Sequence, residues 1–227
     1  ADPVPQDDVY VPVKTKSGVF VFARDPETSA QVWSMDSGYP GDPHYREYYR
    51  DIGYDLEMSY IQSFLSYPVR VGTGFKYKRI TGNQGEKENY DVRRGREKAV
   101  EHADNFHFNR ERQIEYLAAG CRQKPVITAP YDAELFGHWW YEGPDFLEAL
   151  FRKAAAHPEL YRFSTPSRYL REHSVTETVE MNHSSWGEGG YSRVWLNPSN
   201  DWIYPYTHAA EDILIRQKTA HSKPDAS

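Results

Sequence analysis

Cysteine is nearly absent: Cys121 is the only one in 227 residues. One thiol forms no intramolecular disulfide and cannot supply a cysteine-based zinc site. It suits a reducing compartment, so a cytoplasmic location is expected. Long apolar runs are missing too. Nothing nears the roughly 20 residues needed to cross a bilayer, and no segment reads as a signal peptide, so no membrane partner is expected. Positive charge is not in excess: 27 Lys and Arg face 33 Asp and Glu, for a net charge of −6, and the basic residues are scattered. Such a surface repels phosphate backbones and anionic lipids. Nucleic acid is excluded as a partner, and a neutral substrate is the natural one.

Aromatic residues, by contrast, are abundant. They make up 15% of the chain, with 18 Tyr and 6 Trp, and many lie among Gly, Pro, Asp and Asn. Aromatics in loops can form a surface that stacks on ring-shaped ligands. They can equally fold back as half-buried packing, and composition leaves both readings open. The length allows one large domain or one with a smaller companion.

Along the chain, Val9–Val13 and Val19–Ala23 are β-prone runs around a Ser17-Gly18 turn, which predicts a hairpin. Gly38 to Pro43 is a turn-rich loop. Residues 44–50 are predicted as a short helix, with Asp42 as N-cap and Pro43 at its first position. Residues 94–123 give the clearest helical signal, with an apolar face through Val100, Ala103, Phe106, Ile114 and Leu117. Pro125 to Pro130 is β-branched and bounded by prolines, and is predicted as a buried strand that delivers Tyr131 and Asp132 at its end. Helices follow at 144–156, 165–173 and 203–218, with an exposed strand at 175–181. Alternating helix, strand and helix is the pattern of an α/β fold, whose chemistry gathers at the carboxyl ends of strands.

Within Tyr131-Asp132-Ala133-Glu134-Leu135-Phe136-Gly137-His138-Trp139-Trp140 lie two carboxylates, one histidine and two tryptophans. Cleaving a glycosidic bond needs a carboxylic acid held against the scissile oxygen, among apolar walls that raise its pKa. This segment could supply the acid, a hydrogen-bond donor and an aromatic platform. It could also be purely structural, with Asp132 capping a helical turn and the tryptophans in the core. His102, Asp104 and His107 share one predicted helix, but residues five apart do not share a face well, so they are read as helix surface and no metal site is expected. No cofactor motif is present.

The run YDAELFGHWWYEGPDFL closely resembles the fourth conserved region of glycoside hydrolase family 57, with Ala133 in place of the more usual Thr. The resemblance extends upstream through Trp33-Ser34 and Gly38-Tyr39-Pro40-Gly41-Asp42. Downstream it runs through Ser185-Trp186-Gly187 and Trp195-Leu196-Asn197. It implies part of an incomplete (β/α)7 barrel, residues 1–160, with a helical insertion at about 44–120. Residues 161–227 would begin a carboxy-terminal helical domain. The family's members are retaining enzymes acting on α-glucans. By motif, Asp132 is the general acid/base. Trp186 and Trp195 match tryptophans that line the cleft, His138 and Trp140 are further cleft candidates, and Trp33, Tyr39 and Asp42 lie in a family-like segment.

Retention needs a second carboxylate about 5–5.5 Å from the first. The family's nucleophile is a Glu in a Trp-x-Pro-Glu segment, and this sequence has none. Glu134, Glu142 and Glu188 are not expected to replace it. The chain is therefore expected to be a middle-to-late portion of a family member, inactive alone. The tryptophans and the Gly-Tyr-Pro-Gly-Asp segment point to the family's branching members, which cut α-1,4 links and form α-1,6 branches. The alternatives are a 4-α-glucanotransferase or an α-amylase-like hydrolase of the same family and, from another class, a non-catalytic glucan-binding protein.

Overall fold

The computed structural model describes residues 8–34, 37–82, 86–185, 187 and 189–221. It divides into two compact units, Ala1–Val179 and Glu180–Ser227. The division falls beyond the 160/161 boundary expected from the sequence, because residues 178–179 pair into the sheet of the first unit.

The predicted hairpin forms, with shorter strands. β1 (Val13–Thr15) pairs antiparallel with β2 (Phe20–Val21), Val13 opposite Val21. Gly18 closes the turn at φ +89°, a left-handed value that glycine adopts without strain. Pro12 lacks an N–H and residues 8–10 form a 3₁₀ turn, so pairing begins only at Val13. β3 (Thr178–Val179) runs parallel to β1, giving the order β2-β1-β3. The strand predicted over 175–181 is thus reduced to two residues.

Several helices begin where a side chain accepts one of their free N–H groups. α1 (Pro26–Trp33) is capped by Asp25, whose carboxylate accepts the Thr28 N–H at 2.7 Å. α2 (Ile52–Asp55) and α3 (Met58–Ile61) are single turns. α4 (Val92–Gly120) starts at Asp91, which accepts the Arg94 N–H at 3.1 Å. α5 (Gly143–Ala156) and α6 (Pro166–Glu172) both carry proline in the first turn, where no helical hydrogen bond is lost. No helix among the described residues is long and apolar enough to cross a membrane.

α4 and α5 pack along one another and build the core. Ala99, Ala103 and Phe106 lie on one face of α4, and Phe146 and Leu150 on one face of α5, at the three- and four-residue spacings that share a helix face. Val32, Tyr45, Leu135 and Trp140 complete the cluster.

The helix predicted over 44–50 does not form. The Asp42 carboxylate accepts the His44 N–H at 2.8 Å, which makes a local turn rather than a helix start. The chain then pairs with a distant segment: Glu47 N–H donates to the Lys78 carbonyl at 2.8 Å, and Ile80 N–H to the Tyr45 carbonyl at 2.9 Å. Residues 125–130 also differ from expectation. They form no strand, and residues 125–129 are half-buried and Pro130 exposed rather than buried.

In the second unit, a series of turns precedes α7 (Tyr204–His221). Asn197 organises them: its N–H donates to Asn200 Oδ1 at 2.8 Å, and its carboxamide N–H to the Arg193 carbonyl at 2.9 Å.

Candidate active site

The segment before Asp132 is held by donors from its neighbours. Pro125 and Pro130 have no N–H, so the carbonyls carry much of the bonding. Lys124 O accepts the Tyr169 hydroxyl at 2.6 Å, Thr128 O the Asp25 N–H at 2.9 Å, and Pro130 O the Trp33 Nε1–H at 3.3 Å. Val126 N–H donates to the Tyr10 carbonyl at 2.8 Å, and the Tyr131 hydroxyl to the Thr28 carbonyl at 3.0 Å. Five attachments within eight residues fix where Asp132 emerges.

Asp132 is exposed, and no described residue hydrogen-bonds its carboxylate. Its carbonyl accepts the Leu135 N–H at 3.1 Å, opening a 3₁₀ turn over Ala133–Leu135. The chain then doubles back: Trp139 N–H reaches the Glu134 carbonyl at 3.2 Å, and Trp140 N–H the Leu135 carbonyl at 2.8 Å. Gly137 stands at the bend with φ +96°, where a side chain would be strained. This reversal sends Leu135 and Trp140 inward and His138 and Trp139 outward.

Trp140 is 1% exposed and packs on Tyr45, Phe136 and Phe146 with ring centroids 5.5, 6.0 and 5.0 Å away. The expectation of a cleft residue at Trp140 is therefore corrected: it is a core anchor with no face left for a ligand. Trp139 is 46% exposed. Its ring lies 4.3 Å from that of Tyr48, tilted by 34°, and His138 Nε2 is 3.3 Å from the Tyr48 hydroxyl. The expected site residues did not include Tyr48 or Trp139, and the Trp139-Trp140 pair carries no local mark of which member faces out.

No family model matches the chain. A 1,4-alpha-glucan branching enzyme of Thermococcus kodakarensis is 36% identical over 207 residues, 88% of this chain and 27% of that protein. Among solved structures, the alpha-amylase AmyC of Thermotoga maritima is similar with a TM-score of 0.77 and 42% identity, over 97% of this chain and 42% of that one. A GH57-type branching enzyme of Pyrococcus horikoshii gives 0.75 and 36%, over 90% of this chain and 35% of that one. This chain is a GH57 homologue. It spans about a quarter to two-fifths of the length of these relatives.

In this GH57 homologue, Trp33 joins the end of the segment before Asp132: besides its bond to Pro130, its ring is 6.4 Å from that of Tyr131. Tyr39 and Asp42 lie against α4. Tyr39 stacks on His102 at 4.6 Å and donates to Asn105 Oδ1 at 2.8 Å, and burial pushes its hydroxyl up to about 12. Asp42 Oδ1 accepts the His44 N–H, lies 2.8 Å from His44 Nδ1, and Oδ2 is 3.5 Å from His102 Nε2. Burial raises the Asp42 pKa, but the hydrogen bonds from His44 and the nearby histidine charges outweigh it and hold the carboxyl below its ordinary range.

His107 is buried rather than on the helix surface, with Nδ1 2.6 Å from the Tyr161 hydroxyl and Nε2 3.3 Å from Glu111. Among the described residues no cluster of three His, Cys, Asp or Glu could hold a metal. Trp195, in the second unit, is 57% exposed. Trp186 and Glu188 lie outside the described residues. A shallow depression lined by Arg122, Gln123, Thr176 and Glu177 holds none of the expected site residues.

Proposed function

We propose that the chain carries the acid/base half of a retaining α-glucan branching site, with Asp132 as the general acid/base. The observation that supports this best is the placement of Asp132. An exposed carboxylate, unclaimed by any described residue, stands at the end of a segment fixed by five hydrogen bonds. The same loop turns His138 and Trp139 outward. A carboxyl so placed can approach a glycosidic oxygen without first breaking a protein contact. Asp132 would protonate that oxygen as the α-1,4 link breaks, then take the proton of an incoming glucose 6-hydroxyl. Trp139 and Tyr48 offer aromatic surface on the Asp132 loop and its neighbour. Trp33, Tyr39, Asp42 and Trp195 are further proposed contacts to the glucan.

The nucleophile must come from elsewhere. Glu142 is 0% exposed and accepts a backbone N–H, so it cannot attack a sugar carbon. Glu134 is only two residues along the same turn. The reading therefore includes a Trp-x-Pro-Glu-type region outside this sequence, an incomplete (β/α)7 barrel shared with it, and a cytoplasmic location suited to the lone cysteine.

A second reading, hydrolysis with water as acceptor, is favoured by the 42% identity to an alpha-amylase. The two separate by product. The chain alone is expected to turn over no amylose. Joined to the preceding region of the Thermococcus kodakarensis relative, it should create α-1,6 branch points detectable by proton NMR. Asp132→Asn should lower that rate by about 10²–10⁴-fold. Reducing sugars without branch points would favour hydrolysis. Amylose retention without any turnover would favour a glucan-binding protein.

A further inference from the structure

We infer that Glu142 is a positioning residue: its buried carboxylate ties the 132–141 loop, with Asp132 and Trp139 on it, to the chain at Arg46. The functional weight of this tether rests on Asp132 being the acid/base, but its geometry does not.

Glu142 sits at the N-terminus of α5 and is 0% exposed. Its Oε1 accepts the Arg46 N–H at 3.0 Å. The Tyr90 hydroxyl faces the Glu142 carboxyl, while Glu142 Oε2, Tyr90 Oη and Arg46 Nε are buried without a well-formed hydrogen bond among the described residues. The Arg46 guanidinium lies 3.9 Å from the centre of the Tyr141 ring. Gly95 of α4 makes the room: a Cβ there would come within 2.6 Å of the Tyr90 hydroxyl and 3.1 Å of Glu142 Oε1. Four pieces of chain thus converge on one carboxylate: the segment at Arg46, Tyr90 before α4, Gly95 within it, and the start of α5.

A carboxyl buried with so few donors is costly, and an apolar side chain of similar volume would fill the space at lower cost. What an apolar side chain cannot do is accept the Arg46 N–H. That bond places residues 45–48 against the loop: Tyr45 packs on Trp140 at 5.5 Å and Tyr48 on Trp139 at 4.3 Å. The loop is then pinned at both ends, by the Tyr131 hydroxyl on Thr28 and by Glu142 on Arg46.

The test is NMR on the chain without glucan, reading exchange of the Arg46 amide and the nuclear Overhauser contact between the Trp139 and Tyr48 rings. Glu142→Gln keeps an acceptor oxygen and should keep both signals. Glu142→Leu should speed Arg46 exchange by about tenfold, the worth of one lost hydrogen bond, and remove the ring contact while the α4 amides stay protected. If both signals survive in the leucine variant, or both vanish in the glutamine variant, the tether is overturned. Should the leucine variant fail to fold, Glu142→Asp, shorter by one methylene, decides on the same two signals. Retained signals would overturn the tether; lost signals with α4 protected would support it. No turnover is measured, so a failed tether and a failed reading of Asp132 give different results.

Discussion

Trp139 and Trp140 are adjacent in sequence and opposite in environment, 46% and 1% exposed. They mark the two faces of one loop. The inner face, made of Leu135, Trp140 and Glu142, is committed to the core and to Arg46. The outer face, made of Asp132, His138 and Trp139, is held in place by that commitment and spends none of its own side chains on the core. The acid/base role proposed for Asp132 asks for fixed placement with free oxygens. A loop divided in this way would meet both needs, because the buried face holds the position and the exposed face leaves the carboxylate open.

The comparison breaks most clearly at Trp140. Truncation to alanine leaves a cavity among Tyr45, Phe136 and Phe146 and should destabilise the first unit by about 3–5 kcal/mol, measured by urea unfolding. Gly143→Ala attacks the same face at the backbone. The new Cβ would meet Phe136 Cα at 2.8 Å, and a backbone atom cannot swing aside as a side chain can. A cost of about 1–3 kcal/mol is expected from the same measurement. If either variant unfolds at the parental midpoint, the inner face is not what holds the loop.

Glu142 gives a pH signature. Burial raises its carboxyl above the ordinary range, against smaller opposing contributions from the Tyr90 hydroxyl, the Arg46 N–H and the Arg46 charge. A raised acid keeps its proton in the folded chain after the unfolded chain has lost it. The folded state then binds more protons, so this group's contribution to stability falls as pH rises from the unfolded value, about 4.3, through the folded one. Asp25, Asp42 and Asp51, whose carboxyls are held below their ordinary range, pull the other way and lose stability on acidification. Glu142→Gln removes only the first effect. Its urea midpoint should gain on the parent's as pH rises through that window, with no gain below it. A constant difference would mean that Glu142 titrates as it does in the unfolded chain.

How much of this could be read in advance depended on the range of the interactions. α4 was legible through its own apolar repeat, and α5 and α6 because Thr165 and the prolines at 144 and 166 lie within a turn of what they stabilise. The helix predicted over 44–50 failed because its competitor is remote. Tyr45 and Glu47 pair with Ile80 and Lys78, about thirty residues away, and no local propensity encodes that. Asp132 was legible as a candidate through its motif. The facing of Trp139 and Trp140 was not, because it is set by the reversal at Gly137 and by a pocket built from Tyr45 and Phe146. Likewise His107 reads as helix surface until Tyr161 closes over it.

The smallest stability effects belong to the outer face, and they test the comparison most sharply. Trp139→Ala and Asp132→Asn should each change the unfolding free energy by no more than about 0.5 kcal/mol, as at other exposed positions. Asp132 has no described hydrogen-bond partner to lose, and the tryptophan loses its ring contacts with Tyr48 and His138. Paired with Trp140→Ala on one urea curve, they should differ from it by several kcal/mol although Trp139 and Trp140 are covalent neighbours. A loss of more than about 1 kcal/mol at Trp139 would mean that the Tyr48 stack helps hold the loop. The outer face would then be structural as well, and its claim to be a free surface for a glucan would rest on Asp132 alone.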